Sequence, residues 1–289
     1  MKVLVTGCNG YIGSHVVKKL AAAGHQVDGW DINYYGNDYN DVSFYLHSFS
    51  NIDVTKISGL KTEYDTVVHL AGLSLVARSM QMPYEYYGTN IAGTARVLSN
   101  VQNNHIIFAS TSSAWEMASP YARSKVCAED VIKQKTKDYT IFRFFNVSGT
   151  NGQFRQLGPA SHLIRVAAEV AAGKRPELLV YGNDYNTRDG TCIRDYVHVM
   201  DLADAIAQSV AQGPARTDYE CIGSNRGFSV LEVIEVMKSV TGIDFAVRIV
   251  ERRPGDAVAS VVDNLSKLVT LNHSIEEMCL SQYRLEQQR

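Results

Sequence analysis

An α/β fold built on a doubly wound parallel sheet, with a smaller C-terminal α/β region, follows from three observations. Strand-like and helix-like runs alternate from the first residues, the strand-like runs are apolar throughout, and a glycine-rich turn joins the first strand to the first helix. Strands apolar on both faces belong to a parallel sheet covered by helices on each side.

KVLVT (2–6) is the first strand, and YIGSHVVKKLAAAG (11–24) the helix after its glycine turn. QVDGWD (26–31), TVVHLAG (66–72), HIIFAST (105–111) and YTIFRFFN (139–146) read as further strands. TNIAGTARVLSNVQ (89–102) and SPYARSKVCAEDVIKQ (119–134) read as helices between them. Beyond Gly149 the pattern loosens, and turn residues gather in GTNGQFRQLGP and GNDYNTRDGT. The expected division is a dinucleotide domain, 1–147 with 195–222, and a substrate domain, 148–194 with 223–289. No internal repeat is visible.

The bulk numbers exclude several classes. The 289 residues carry a net charge of −2, so neither nucleic acid nor an anionic membrane is an expected partner. No apolar run approaches the roughly 20 residues of a membrane span, and MKVLVTG is too short and glycine-interrupted for a signal peptide. Cysteines 8, 127, 192, 221 and 279 are odd in number and lack metal-ligand spacing. They read as reduced thiols of a cytoplasmic protein, with no metal expected.

Gly7, Gly10 and Gly13 follow the first strand, with Tyr11 and Ile12 opening the helix. A turn at that place needs glycine for positive φ, for close approach of a pyrophosphate, and for tight helix–strand packing; the helix N-terminus then offers N–H groups to phosphates. The spacing is Gly-x-x-Gly-x-x-Gly, and the fold it implies is Rossmann-like. Asp31 ends the second strand about twenty residues on, where a carboxylate accepts from ribose hydroxyls and repels a 2′-phosphate. No basic residue follows it directly, so NAD is expected as cofactor in preference to NADP. Asp53 and Val54 are candidates to flank the adenine.

TSSAWEMASPYARSK (111–125) holds a tyrosine four places before a lysine. Alone, such a pair is a common accident. Here Thr111, Ser112 and Ser113 follow a strand at the carboxyl edge of the sheet, where open α/β folds bind ligands. Ser119-Pro120 reads as an N-cap and first-turn proline, which places Tyr121 in the first turn of a helix and Lys125 one turn on. A phenol ordinarily titrates near pH 10; a nearby ammonium, a cationic nicotinamide and the helix N-terminus are expected to lower that. Tyr121 is therefore a candidate general base, with Lys125 and Thr111 beside it.

With these residues in place the chain resembles the extended short-chain dehydrogenase/reductase family, and within it the UDP-glucose 4-epimerases. HLAGLSLVARS (69–79), RFFNVSG (143–149), YGNDYNTRDGTCIRDYVHVMDLADA (181–205) and RRPGDAVAS (252–260) carry the resemblance. It implies that Leu70, Ala71, Gly72 and Asn90 join the cofactor site. It also implies that a UDP-sugar is held by Ser112, Asn146, His162, Leu163, Leu179, Tyr181, Arg194 and Arg253, with Asp256 at the ribose and Ser260 near the sugar. An arginine pair suits a diphosphate through charge-assisted, often forked hydrogen bonds. The implied reaction is 4-epimerisation of a UDP-hexose on tightly bound NAD, and the implied assembly is a homodimer.

Departures from the family pattern are local. Only nine residues separate Thr111 from Tyr121 where relatives carry a longer insertion, and Trp115 replaces a tyrosine. Ser74 stands in place of a lysine and His162 in place of an asparagine. Ser260 is small where glucose/galactose-restricted relatives have tyrosine, so N-acetylated sugars are expected to fit. Two other readings stay open: a UDP-uronate epimerase or decarboxylase, whose substrate carboxylate would meet Ser112, Ser113 or Arg78, and a non-catalytic NAD-binding protein. A dehydratase is disfavoured, because Thr111 is followed by Ser112-Ser113 and not by Asp-Glu.

Overall fold

Apolar β-branched runs pair with one another wherever glycine turns allow the chain to reverse through a helix, and the computed structural model, described for residues 1–215, 217–253 and 256–288, shows where that happens. Pro254 and Gly255 of the RRPGDAVAS segment lie outside the described residues. The first unit runs β1 (Lys2–Thr6), α1 (Tyr11–Ala22), β2 (Gln26–Asp31), β3 (Ser48–Asn51), β4 (Thr62–His69), α2 (Val76–Gln81) and α3 (Pro83–Tyr86). A π-helical turn (Tyr87–Ala92) leads into α4 (Gly93–Asn100), β5 (Val101–Thr111), α5 (Pro120–Lys135) and β6 (Tyr139–Phe144).

The second unit holds β7 (Asn146–Ser148), α6 (Leu163–Ala171), β8 (Leu178–Tyr181) and β9 (Ile193–His198). α7 (Val199–Gln212) and β10 (Glu220–Ile222) each span a unit boundary. β11 (Gly227–Ser229), α8 (Val230–Thr241), β12 (Val247–Val250), β13 (Ala259–Ser260) and α9 (Ile275–Gln287) complete it.

The main sheet has seven strands in the order β10-β6-β5-β4-β1-β2-β3. The registered pairs from β6 to β3 are all parallel. β1 sits where the strand order reverses, which is where open α/β sheets bind ligands at their carboxyl ends. One core of this unit joins Leu4, Trp30, Val67, Ile106, Phe108 and Ile141 to Val97 of α4 and to Ala128 and Ile132 of α5.

Several boundaries differ from expectation. The strand expected at 66–72 starts at Thr62 and stops at His69, leaving Leu70 to Gly72 as a loop beyond the sheet edge. The run expected as one strand, 139–146, divides after Phe144: the Phe145 N–H turns to the Ile222 carbonyl at 2.9 Å, and Asn146 starts a strand in another sheet. β3 was not apparent, because Ser48–Asn51 is short and largely exposed.

The compact units are 1–144 with 203–220, and 145–202 with 221–289. Residues 195–202, expected with the first domain, group with the second unit. β9 is the centre of the second unit's four-stranded sheet, paired with β7, β11 and β13, and it carries residues 195–198 with it. Residues 145–147, 221 and 222 follow for the same reason, since β7 pairs β9 and Cys221 bridges Leu265. A second core packs Ile164, Ala168, Leu178, Val180, Val233, Met237, Met278 and Tyr283. Its helices α8 and α9 each begin with a full capping box, Ser229 with Glu232 and Ser274 with Glu277.

Candidate active site

The turn after β1 is a surface that only glycines can form. Gly7 has φ +73°, and a Cβ there would meet the Ala71 nitrogen at 2.8 Å. A Cβ on Gly13 would fall 2.0 Å from the Gly7 carbonyl oxygen. Gly10 is the N-cap of α1, with no side-chain cap and no acidic residue in the first turn. The Tyr11 ring meets His15 edge-on, Ile12 is half-buried, and the positive end of the helix is left to a ligand.

Asp31 binds this turn to the end of β2. Its Oδ2 accepts from the Asn9 N–H at 3.0 Å and its Oδ1 from the Asn33 N–H at 2.8 Å. Burial pushes this carboxyl up from its ordinary range, against those backbone bonds. Asp53 caps its own turn, accepting from the Thr55 N–H (2.9 Å) and hydroxyl (2.7 Å) beside Lys56. Burial works against it, but these partners hold its carboxyl below the usual value. Val54 is buried in the core of the unit.

The loop Leu70–Gly72 is fastened from both sides. The Leu70 N–H donates to the Thr6 carbonyl at 3.1 Å and the Ala71 N–H to the Thr6 hydroxyl at 3.2 Å. Asn90, buried in the π-helical turn, accepts from the Leu73 N–H at 2.9 Å. It donates to the Leu73 carbonyl (3.1 Å) and to the Ser124 hydroxyl (2.9 Å). A Cβ on Gly72 would meet the Asn90 Oδ1 at 2.9 Å and the Lys125 Nζ at 3.3 Å, so the loop lies directly over both.

β5 and α5 bring the hydroxyl trio together. Ser119 caps α5, its hydroxyl accepting from the Ala122 N–H at 3.2 Å, and Pro120 opens the helix. Tyr121 is buried with its phenol beside the Thr111 hydroxyl, which accepts from the Ser113 N–H at 3.2 Å. Ser112 is half-buried on the short 3₁₀ turn that follows. Lys125 donates to the Ala109 carbonyl at 2.8 Å and lies 4.6 Å from the Phe108 ring centre. Burial pulls its ammonium down to about 8, with Glu129 opposing. One expectation is corrected: the Tyr121 phenol is raised, because burial outweighs the Thr111 hydrogen bond.

In the second unit the candidate substrate residues form a cation cluster. The Arg194 Nη1 donates to the carbonyls of Ile193 (2.9 Å) and Ala257 (2.8 Å), and its Nη2 lies 3.9 Å from Asp256. Ser260 sits opposite Arg194 in the β13–β9 register. The Arg253 guanidinium stacks 3.6 Å from the centre of the Tyr181 ring. Leu179 and Tyr181 share one half-buried face of β8. Burial raises the Cys192 thiol, with Arg194 and Arg253 opposing and Asp256 adding to it. Asn146 donates to the Asp195 carbonyl at 2.8 Å, while His162, exposed, is the N-cap residue of α6 before the half-buried Leu163.

Residues 3–221 match the model of the NAD dependent epimerase/dehydratase family. The chain belongs to that family. A UDP-glucose 4-epimerase of Halalkalibacterium halodurans is 35% identical over 94% of this chain and 89% of its own length. One from Pisum sativum is 30% identical over 98% and 94%. Among solved structures, a Bifidobacterium longum UDP-glucose 4-epimerase in complex with NAD+ and UDP superposes with a TM-score of 0.88 at 27% identity, covering 100% of this chain and 98% of that one. The UDP-Glc/GlcNAc 4-epimerase of Campylobacter jejuni gives 0.78 at 30%, covering 100% and 99%.

Within this epimerase/dehydratase chain, sequence reasoning missed Ser110, Ser124, Glu129 and Arg143, all buried and all bonded to the residues just described or to their neighbours. A glutamate one helical turn after Lys125 was the available signal. Among the described residues no group of His, Cys, Asp or Glu could hold a metal ion, and no helix is long and apolar enough to cross a membrane.

Proposed function

We propose that this protein is an NAD-dependent 4-epimerase of a UDP-hexose. The observation that carries the reading is the union of a glycine-lined cradle beside Asp31 with Thr111, Tyr121 and Lys125 buried together at the carboxyl edge of the same sheet. The cradle fits a dinucleotide on its own terms: side chains at Gly7, Gly13 or Gly72 would collide with the backbone or with Asn90, and α1 has no capping side chain of its own. Gly7, Gly10, Tyr11, Ile12, Gly13, Asp31, Leu70, Ala71, Gly72 and Asn90 would hold NAD, with Asp53 and Val54 at the adenine edge and Tyr121 and Lys125 toward the nicotinamide. When bound, NAD supplies a hydride acceptor that returns what it takes, so turnover needs no added oxidant.

Tyr121 takes the proton of the sugar 4-hydroxyl, and Thr111 orients that hydroxyl beside the same phenol. Burial keeps Tyr121 protonated in the free protein, so it acts as a base only in the loaded site, where positive charge joins it. Ser112, Asn146, His162, Leu163, Leu179, Tyr181, Arg194, Arg253 and Asp256 anchor the UDP. Anchoring through the remote nucleotide leaves the transient 4-keto sugar free to turn its other face.

The named relatives support the UDP-hexose over a uronate. Arg78, the cation that would meet a uronate carboxylate, is engaged 3.4 Å from Glu85. Ser260, small and paired with Arg194 in register, is the residue read as admitting an N-acetyl group. A homodimer and a reducing, cytoplasmic setting complete the reading.

The test is incubation of the purified protein with UDP-galactose, UDP-glucose and their N-acetyl forms without added coenzyme. Epimer formation is expected on both pairs, and its absence on all four overturns the reading. Ser260→Tyr is expected to abolish turnover of the N-acetyl pair while keeping the other. Equal loss on both pairs removes Ser260 from specificity.

A further inference from the structure

Three side chains on one face of α5 grip the last three residues of β5. Tyr121 lies beside the Thr111 hydroxyl, Lys125 donates to the Ala109 carbonyl at 2.8 Å, and Glu129 accepts from the Ser110 hydroxyl. Their spacing is i, i+4, i+8, so they stand one above another along the helix. The first two carry the chemistry proposed above; the third has had no part in it, yet it is the most completely bonded.

Glu129 is 2% exposed. Its Oε1 accepts from the Arg143 Nε at 3.0 Å and its Oε2 from Nη2 at 2.7 Å, a forked pair. Arg143 lies opposite Ser110 in the β5–β6 register, so one carboxylate joins α5, β5 and β6. The guanidinium is covered by the Tyr219 ring at 3.9 Å and the Trp115 ring at 5.3 Å, and the Trp115 indole donates to the Tyr219 hydroxyl at 3.3 Å. A buried ion pair is a poor source of stability, since apolar residues of equal volume often serve as well. Its place beside Lys125 therefore calls for another reason.

The groups facing Lys125 are few. β4 presents His69, kept neutral by burial with its value pulled down to about 3. β5 presents the Phe108 ring and the Ala109 carbonyl. α5 itself presents Tyr121, whose ring meets Tyr86 of α3 edge-on at 6.4 Å, and Glu129, with Arg143 of β6 behind it. Glu129 is the anion that acts on the Lys125 amine, against the burial that would strip its proton.

We propose that Glu129 is a positioning residue of this site: its carboxylate, forked to Arg143 and bonded to Ser110, sets the register of α5 on the end of β5 and keeps Lys125 an ammonium. The inference rests on the epimerase reading for its purpose, but its test does not. Lysines enriched in ¹³C at Cε are titrated by NMR in the purified protein, the Lys125 signal being identified by its absence in Lys125→Arg. In Glu129→Gln the Lys125 midpoint is expected to fall by about one pH unit, and Glu129→Asp to recover most of that shift. An unmoved midpoint overturns the charge role, whatever the substrate proves to be.

On a UDP-hexose the basic limb of kcat is expected to move with the midpoint. Loss of turnover at every pH with a fixed limb would mark a merely structural pair and overturn the proposal. If the Gln substitution does not fold, Ser110→Ala reads the register without unpairing a charge. Its kcat is expected to drop about tenfold with KM unchanged, and full turnover would overturn the positioning role.

Discussion

In the first unit Asn90, Thr111, Tyr121 and Lys125 are buried and each is already bonded to protein before any ligand arrives. In the second, Leu179 and Tyr181 lie half-buried on a four-residue strand, Ser260 on one of two residues, and Arg253 is exposed against the Tyr181 ring. The contrast separates two tasks. Chemistry at a sugar carbon demands reacting groups fixed to a fraction of an ångström, and dense internal bonding supplies that. On the proposed reading, holding a flexible diphosphate demands cations with donors to spare: Arg253 is oriented by the Tyr181 ring, while Arg194 commits Nη1 to two backbone carbonyls.

Substitutions in the two units should therefore fail differently. The largest effect is expected from Tyr121→Phe: a fall in kcat of about a thousandfold, with KM for the UDP-sugar and NAD content little changed. Steady-state kinetics and coenzyme absorbance check it, and near-normal turnover would exclude the phenol as base. Arg253→Met should do the reverse. Losing a charge-assisted contact raises KM about tenfold to a hundredfold while kcat holds; a kcat loss larger than the KM rise would erase the division of labour.

Lys125→Met sharpens the comparison through stability. The Lys125 value falls on folding from 10.5 to about 8, so between those limits the unfolded chain holds the extra proton. This group alone then makes stability rise with pH across that window, and it is destabilising below it. Denaturant unfolding at pH 7 and 9.5 should find the Met variant more stable than wild type at pH 7, with a flatter pH dependence, although inactive. The smallest effect is expected at Asp53→Ala, where losing one turn cap costs about 1 kcal/mol or less. NAD affinity measured by calorimetry should weaken no more than about threefold.

What could be read from the sequence was what neighbouring residues decide. The glycine turn needs Gly7 at positive φ and Gly13 against its carbonyl, six positions apart. The Ser119 cap and the Tyr121–Lys125 spacing lie within one helix start. Asn90 clamping Leu73, Glu129 reaching Ser110 and Arg143, and β9 taking residues 195–198 into the second sheet are all settled by partners on other elements, which no local pattern names. The Tyr121 phenol was misjudged for a related reason: a local list of cations says nothing of how deeply the fold buries the ring.

The ladder between α5 and β5 explains how a segment of only nine residues between Thr111 and Tyr121 can be accommodated. Alignment of the helix on the strand is set by rungs at 121, 125 and 129 and by the Ser119 cap, not by the length of chain that leads into them. The length of that connection is thereby freed, while its Trp115 still covers Arg143 and its Ser119 still caps the helix. Changes of length away from Trp115 and Ser119 are expected to leave the rungs in place, so relatives sharing one chemistry are free to differ in that stretch.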